Sequence, residues 1–170
     1  MTAPTEAWLS GPVPEIAPPL WPVAHSLLQA RLDAASIASD LTVDELWSRP
    51  GGAASAGFHL RHVAGVLDRL FTWARGEALT DAQRAQARAE GEPGTPPSPA
   101  AELLARFDRE VTRALAQLKT TDPSHLLDAR EVGSRKLPST VQGLLFHAAE
   151  HSTRHVGQLS TTIKVVRGKK

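Results

Sequence analysis

Five of the seven histidines in this 170-residue chain fall into two spaced groups. His147, His151 and His155 follow one another at i, i+4 and i+8, and His59 and His62 stand three apart. On a helix, residues three and four apart share a face. Each group can therefore present imidazoles side by side, and paired imidazoles can hold one divalent ion, as in the zinc-binding His-Glu-x-x-His helix. The acid of that motif is missing, since Ser152 follows His151, which excludes a metalloprotease of that kind. The chain has no cysteine, so disulfides and thiolate ligands are excluded. Any transition-metal site must use His, Asp or Glu, a donor set that suits zinc, nickel, manganese or iron. His25 and His125 have no such company and receive no role.

Two helices must position these groups. On the last one, Leu145, Ala148, Val156, Leu159, Ile163 and Val166 define an apolar face. At about 100° per residue, His155 lies roughly 40° from the centre of that face, His151 roughly 80° and His147 roughly 120°. His155 and His151 are thus expected to look into the protein from its flank, with His147 exposed near the rim and Glu150 turned away. On the earlier helix, Val63, Val66, Leu67, Leu70 and Trp73 define the face, with His59 near its centre and His62 near its edge. Periodicity favours His59 as the more buried of the two and leaves open which lies level with His151 and His155.

The remaining elements follow from breaks and periods. Residues 1–17, with Pro4, Pro12, Pro14 and, just beyond, Pro18, show no period and are expected as an extended arm. Residues 18–167 are expected to form the folded domain. A first helix runs from Leu20 to about Leu41 on Leu20, Val23, Ala24, Leu27, Leu28, Leu32 and Ile37. A short helical start follows at Asp44-Glu45, and Pro50-Gly51-Gly52 is a break. Ser55 caps the second long helix, which Gly76 closes. Residues 80–90 read as a short exposed helix or a mobile loop, and Gly91 to Pro99 as a linker; together they are a candidate lid. Ser98 is expected to cap a third helix, to about Lys119, built on Leu103, Leu104, Phe107, Val111, Leu115 and Leu118. Residues 120–139 read as irregular, and Ser139 or Thr140 opens the last helix. Four long amphipathic helices and no convincing strand give an all-α four-helix bundle.

Composition excludes several function classes. The net charge is +1, so no global field attracts nucleic acid or membrane. The one basic cluster, Arg167, Lys169 and Lys170, reads as a solvated end. No stretch approaches the roughly 20 apolar residues of a membrane span. The first residues lack a basic region followed by an apolar run, so a secretory leader is not expected and a cytoplasmic location is.

The run His147-Ala148-Ala149-Glu150-His151-Ser152-Thr153-Arg154-His155-Val156-Gly157-Gln158-Leu159 resembles the C-terminal motif of the DinB-like superfamily, which includes YfiT-type proteins and thiol-dependent transferases of bacteria. The segments Leu41 to Gly52 and Gly57 to Gly65 are similar to its lead into the second helix and to the helix itself. The resemblance covers residues from about 20 to 166. It implies a four-helix bundle of up-down-down-up order, often dimeric, with nickel or zinc held by three histidines. Carried over by position, these are His62, His151 and His155, with His59 as the alternative ligand or a neighbour.

Three neutral imidazoles leave a coordination position open, the geometry of a catalytic rather than a structural metal. The resemblance implies that a bacillithiol-, mycothiol- or glutathione-type thiol is activated there to attack an electrophile. Metal-assisted hydrolysis is the alternative; it needs a general base, and Asp68, on the polar face, and Glu150 are both poorly placed. A non-catalytic metal-binding or dimeric interaction module is the third reading. Gln158, one turn beyond His155, is a candidate hydrogen-bond partner near the site or a solvated side chain. Trp47 and Trp73 are expected as core anchors. Arg61, Arg69 and Arg154 are expected as surface charges, with Arg154 placed to meet a substrate carboxylate.

Overall fold

Side chains that satisfy otherwise unpaired backbone N–H groups start the helices at Val43, Ala56 and Asp81, whereas those at Trp21 and Ala100 begin at proline-containing turns without a side-chain cap. In the computed structural model, which describes residues 6–168, α1 spans Trp21–Ala38 behind a 3-10 turn at Pro18–Leu20. Thr42 and Glu45 form a reciprocal capping box that starts α2, Val43–Trp47. Ser55 Oγ accepts from the Phe58 N–H at 3.1 Å to start α3, Ala56–Ala74. Gly76, at φ +79°, turns the chain out of α3. A second capping box, Thr80 with Gln83, starts α4, Asp81–Arg88, so residues 80–90 hold a short helix. The Gln83 amide docks α4 on α3 by donating to Asp68 Oδ2 and Thr72 Oγ1, both at 2.9 Å. The third long helix, α5, spans Ala100–Thr120. Its N-cap is Pro99 rather than Ser98, whose hydroxyl instead donates to Glu102. The last helix, α6, spans Val141–Gly168, and Thr140 Oγ1 accepts from the Gly143 N–H at 3.0 Å.

The interval read as irregular contains an antiparallel hairpin. β1, Ala129–Val132, pairs with β2, Leu137–Thr140, with Ala129 opposite Thr140 and Val132 opposite Leu137. Its residues show no apolar alternation, and Pro138 argues against a strand, so the sequence carries no strand signal there. Tertiary contact supplies what pattern does not: Arg130 Nε donates to the Ala74 carbonyl at the end of α3 at 2.9 Å.

The protein is mostly helical, and its four long helices pack on one another, α3 against α5 and α6, α1 against α5 and α6. Contacts run in opposite directions along α3 and α6, where His59 meets His155 and His62 meets His151. They run the same way along α3 and α5, from Arg61 with Ser98 to Phe71 with Gln117. Between them lie Leu27, Leu60, Leu67, Phe107, Val111, Leu118, Leu145 and Leu159, each at most 1% exposed. On α1 the expected Leu32 is 55% exposed, and the buried seam is Ala24, Leu27, Ala30, Ala34 and Ala38. Small side chains there let α1 lie close to its neighbours, which periodicity scored by bulky residues overlooks.

Residues 6–17, read as an extended arm, include a 3-10 turn at Ala7–Leu9 and lie along α1, where the Ala7 N–H donates to Gln29 and Ile16 is 5% exposed. The part of that arm before residue 6 falls outside the described residues, as do Lys169 and Lys170 of the basic end. Arg167 is not merely solvated; it pairs with Asp40 at 3.0 Å. Among the described residues no helix is long and apolar enough to cross a membrane.

Candidate metal centre

The antiparallel pairing of α3 with α6 brings the two histidine groups face to face. One ring nitrogen from each of His62, His151 and His155 lies within 4.8 Å of the other two. His62 Nε2 and His151 Nε2 are 3.0 Å apart. Two nitrogens each about 2.0–2.1 Å from one ion sit about 3 Å apart, so this spacing suits a shared metal. The His155 ring centre is 4.5 Å from that of His62 and 4.4 Å from that of His151. All three rings are half-buried.

His59 stands beside this group. It is 6% exposed, as its central position on the helix face requires, and its Nδ1 is 3.1 Å from His155 Nδ1. Depth and ligation are different things here. The more central histidine is the deeper one, and the flanking His62 reaches His151. Phe58 stacks on the outer face of His62, with ring centres 5.0 Å apart and planes at 14°. His147 is exposed at the rim, paired with Glu150 at 3.4 Å, as the wheel count expects. Gln158 is exposed.

Each ring has a partner for its second nitrogen, and for His62 and His151 that partner sets the tautomer. Glu90 Oε2 lies 2.6 Å from His62 Nδ1. An ionised carboxylate only accepts, so Nδ1 carries the proton and Nε2 of His62 presents its lone pair. This carboxylate–histidine arrangement is the one that orients metal-binding imidazoles. Arg154 Nη2 lies 2.8 Å from His151 Nδ1 and can only donate. This donation places the His151 proton on Nε2, directed at His62. Arg154, Arg-to-carboxylate inclusive, forms one line of donors: Arg154 to His151, His151 to His62, His62 to Glu90. Arg154 also pairs with Glu150 at 3.2 Å.

Glu90 carries the site in a way the sequence did not announce. It is 5% exposed and also receives Arg69 Nη1 at 2.6 Å. Burial pushes its carboxyl pKa up, but the hydrogen bonds from His62 and Arg69 outweigh this and hold it below the usual carboxylate range. Arg69 is thus an internal ion-pair partner, not a surface charge. Arg61 is not a free surface charge either. It binds the carbonyls of Ala89, Glu92 and Pro93 and the Ser98 hydroxyl, and lies 5.0 Å over the Trp47 ring. It thereby ties down the segment that carries Glu90. Gly65 makes the room: a Cβ there would meet Glu90 Oε1 at 2.3 Å and Arg69 Nη1 at 2.8 Å. A glycine three residues after His62 inside an amphipathic helix was the available signal of a close approach.

The environment favours the neutral form of His59, His151 and His155. Burial first, then neighbouring His62, lowers His151 to about 4. The same two causes, followed by His151 and His59, lower His155 to about 3. Burial and then His62 lower His59 as well. Neutral rings are the form that binds metal.

A sequence profile of the DinB superfamily matches residues 26–159, well over half of the chain. The protein belongs to the DinB superfamily. The matched region contains His59, His62, His151, His155 and Glu90. No curated protein matches this DinB chain in sequence. Among solved structures it is similar to one described as the conserved protein of locus from Enterococcus faecalis, with a TM-score of 0.71 and 18% identity over 88% of this chain and 97% of that one. At that identity the likeness speaks for the shared fold.

Proposed function

We propose that this DinB protein is a metal-dependent transferase. His62, His151 and His155 hold one divalent ion, nickel or zinc, and a low-molecular-weight thiol of the bacillithiol, mycothiol or glutathione type is activated there to attack an electrophile. The observation that carries the reading is the meeting of three imidazoles, one hydrogen-bonded to a buried carboxylate, with no fourth residue in the cluster among the described residues. When bound, the ion lowers the pKa of a coordinated thiol, as it does that of water.

The chain's own groups do the rest. Glu90 holds the proton of His62 on Nδ1 and so keeps Nε2 for the ion. His59, packed on His155 Nδ1, fixes the rotation of that ring. Arg154 lies at the rim, where it meets Glu150 and is placed to receive a carboxylate of an incoming thiol. The chain has no cysteine, so the sulfur comes from the cosubstrate. Glu90 is occupied by two donors behind His62, and among the described residues no carboxylate joins the three-histidine cluster as general base, which favours thiol over water as nucleophile. The reading includes the up-down-down-up bundle of the superfamily, which the contact directions along α3, α5 and α6 support, and a homodimer, which sedimentation measures.

Elemental analysis of the purified protein, followed by a thiol titration of the cobalt-substituted form, tests this. One equivalent of ion in the wild type is expected, together with loss of it in His62→Ala, His151→Ala and His155→Ala and retention in His147→Ala. Cobalt absorption should change on thiol addition. Full metal content in the three ligand variants, or a cobalt spectrum indifferent to every thiol, rejects the assignment.

A further inference from the structure

Between α3, α6 and the hairpin lies a cavity of about 470 Å³, bordered by His151 at the imidazole cluster. This is within the roughly 300–1,000 Å³ of small-molecule sites. Its apolar wall is made by Val66, Leu70, Trp73, Leu137 and Leu144. Leu137 remains 48% exposed and Trp73 is only half-buried, so apolar surface faces the opening uncovered. Such surface in a concavity favours an apolar occupant. The titratable groups in the lining are Arg69, His147 and His151, and none of the lining residues is acidic. Arg69 is fixed by Glu90 before any ligand arrives. A larger cavity, about 610 Å³, lies past Trp73, but charged residues including Arg84, Arg130, Glu131 and Lys136 line it and no histidine does. The depression on the other flank of the cluster, beside His59 and Arg154, is bordered by Gly157, Gln158, Thr161 and Thr162, small or polar residues.

We infer that the apolar cavity seats the acceptor substrate: a small molecule with an aromatic or branched aliphatic body and an anionic group directed at Arg69. With Arg69 and Glu90 cancelling, an ion on the three imidazoles makes the inner end net positive, which favours an anion over a neutral group. The occupant's role as electrophile and the preference for an anion rest on the transferase reading above and its ion; the cavity's preference for an apolar body rests on its own lining.

Calorimetric titration with 2-naphthoate, on metal-loaded and metal-free protein, decides it. Saturable binding is expected, tighter with metal, and at least about tenfold weaker in Leu137→Asp, where a carboxylate at an exposed position repels the probe and wets the wall. Val66→Trp, which fills the cavity, should weaken it similarly, and both variants should keep the wild-type metal content. Methyl 2-naphthoate, the neutral ester, should bind more weakly than the anion. Undiminished binding in Leu137→Asp, no saturable binding to the wild type, or ester and anion binding alike overturns the inference. A wild type that takes up no metal in elemental analysis yet binds 2-naphthoate, and loses it in Leu137→Asp, upholds the apolar seat, while its failure to take up metal rejects the transferase reading.

Discussion

At the scale of the residue, the pairing of the histidines was legible and the groups that support them were not. Spacing alone put His151 and His155 on the flank of an apolar face, and their half-burial agrees. Glu90 gave no such sign, because it follows α4 in a polar stretch and reaches His62 only through the fold. Removing its charge while keeping its shape, in Glu90→Gln, frees the His62 tautomer and should weaken metal binding by about 10–100-fold in chelator competition. Affinity within twofold of wild type would show that the carboxylate does not orient the ring. Proton linkage gives a second expectation. His151 and His155 are held at about 4 and about 3, against 6.5 for an unperturbed ring. Between those values the unfolded chain takes up protons that the fold refuses, so stability is full above about pH 6.5 and declines as pH falls toward 4. The urea midpoint of chelator-treated protein should be lower at pH 5 than at pH 7.5, and the difference should shrink in a His151→Gln, His155→Gln double variant. Equal midpoints at the two pH values in the wild type would contradict neutral burial of these rings.

At the scale of the element, the long helices followed from caps and periods, while the short elements depended on their docking. The start of α3 was read at Ser55 because the capping residue and the apolar repeat coincide there, while the short start expected at Asp44-Glu45 is capped by Thr42. The Thr80–Gln83 box that starts α4 was equally present, but no large apolar residue followed to mark a helix. The hairpin had neither signal. Gly65 links element to site: within α3 it is the residue over which Glu90 passes. Gly65→Ala should add about 1 kcal/mol of helix propensity, yet its methyl would occupy the space of the Glu90 carboxylate. The expected outcome is a thermal midpoint that does not fall by more than a few degrees, with metal affinity reduced as in Glu90→Gln. Wild-type affinity in Gly65→Ala would mean that the carboxylate finds another route to His62.

At the scale of the whole molecule, the site ties α3, α6 and the segment after α4 into one unit, so the ion should stabilise the fold it bridges. An ion at 100 times its dissociation constant adds about 2.7 kcal/mol, which for a chain of this length raises Tm by about 5–10 °C. Differential scanning of chelated and reloaded protein measures this; no rise, or an equal rise in His155→Ala, would count against a single site bridging the helices. The sequence by itself determined the helical class, the paired imidazoles and the exclusion of cysteine ligands and disulfides, since these depend on residue type and on spacing along one chain. Only the tertiary structure decided which member of the His59–His62 pair faces His151, that Glu90 and Arg69 stand behind it, and that an apolar cavity opens beside it. Periodicity reports how far a side chain lies from the core axis and says nothing of its level along the partner helix, and the partners of a buried charge come from segments whose distance in sequence carries no trace of their contact.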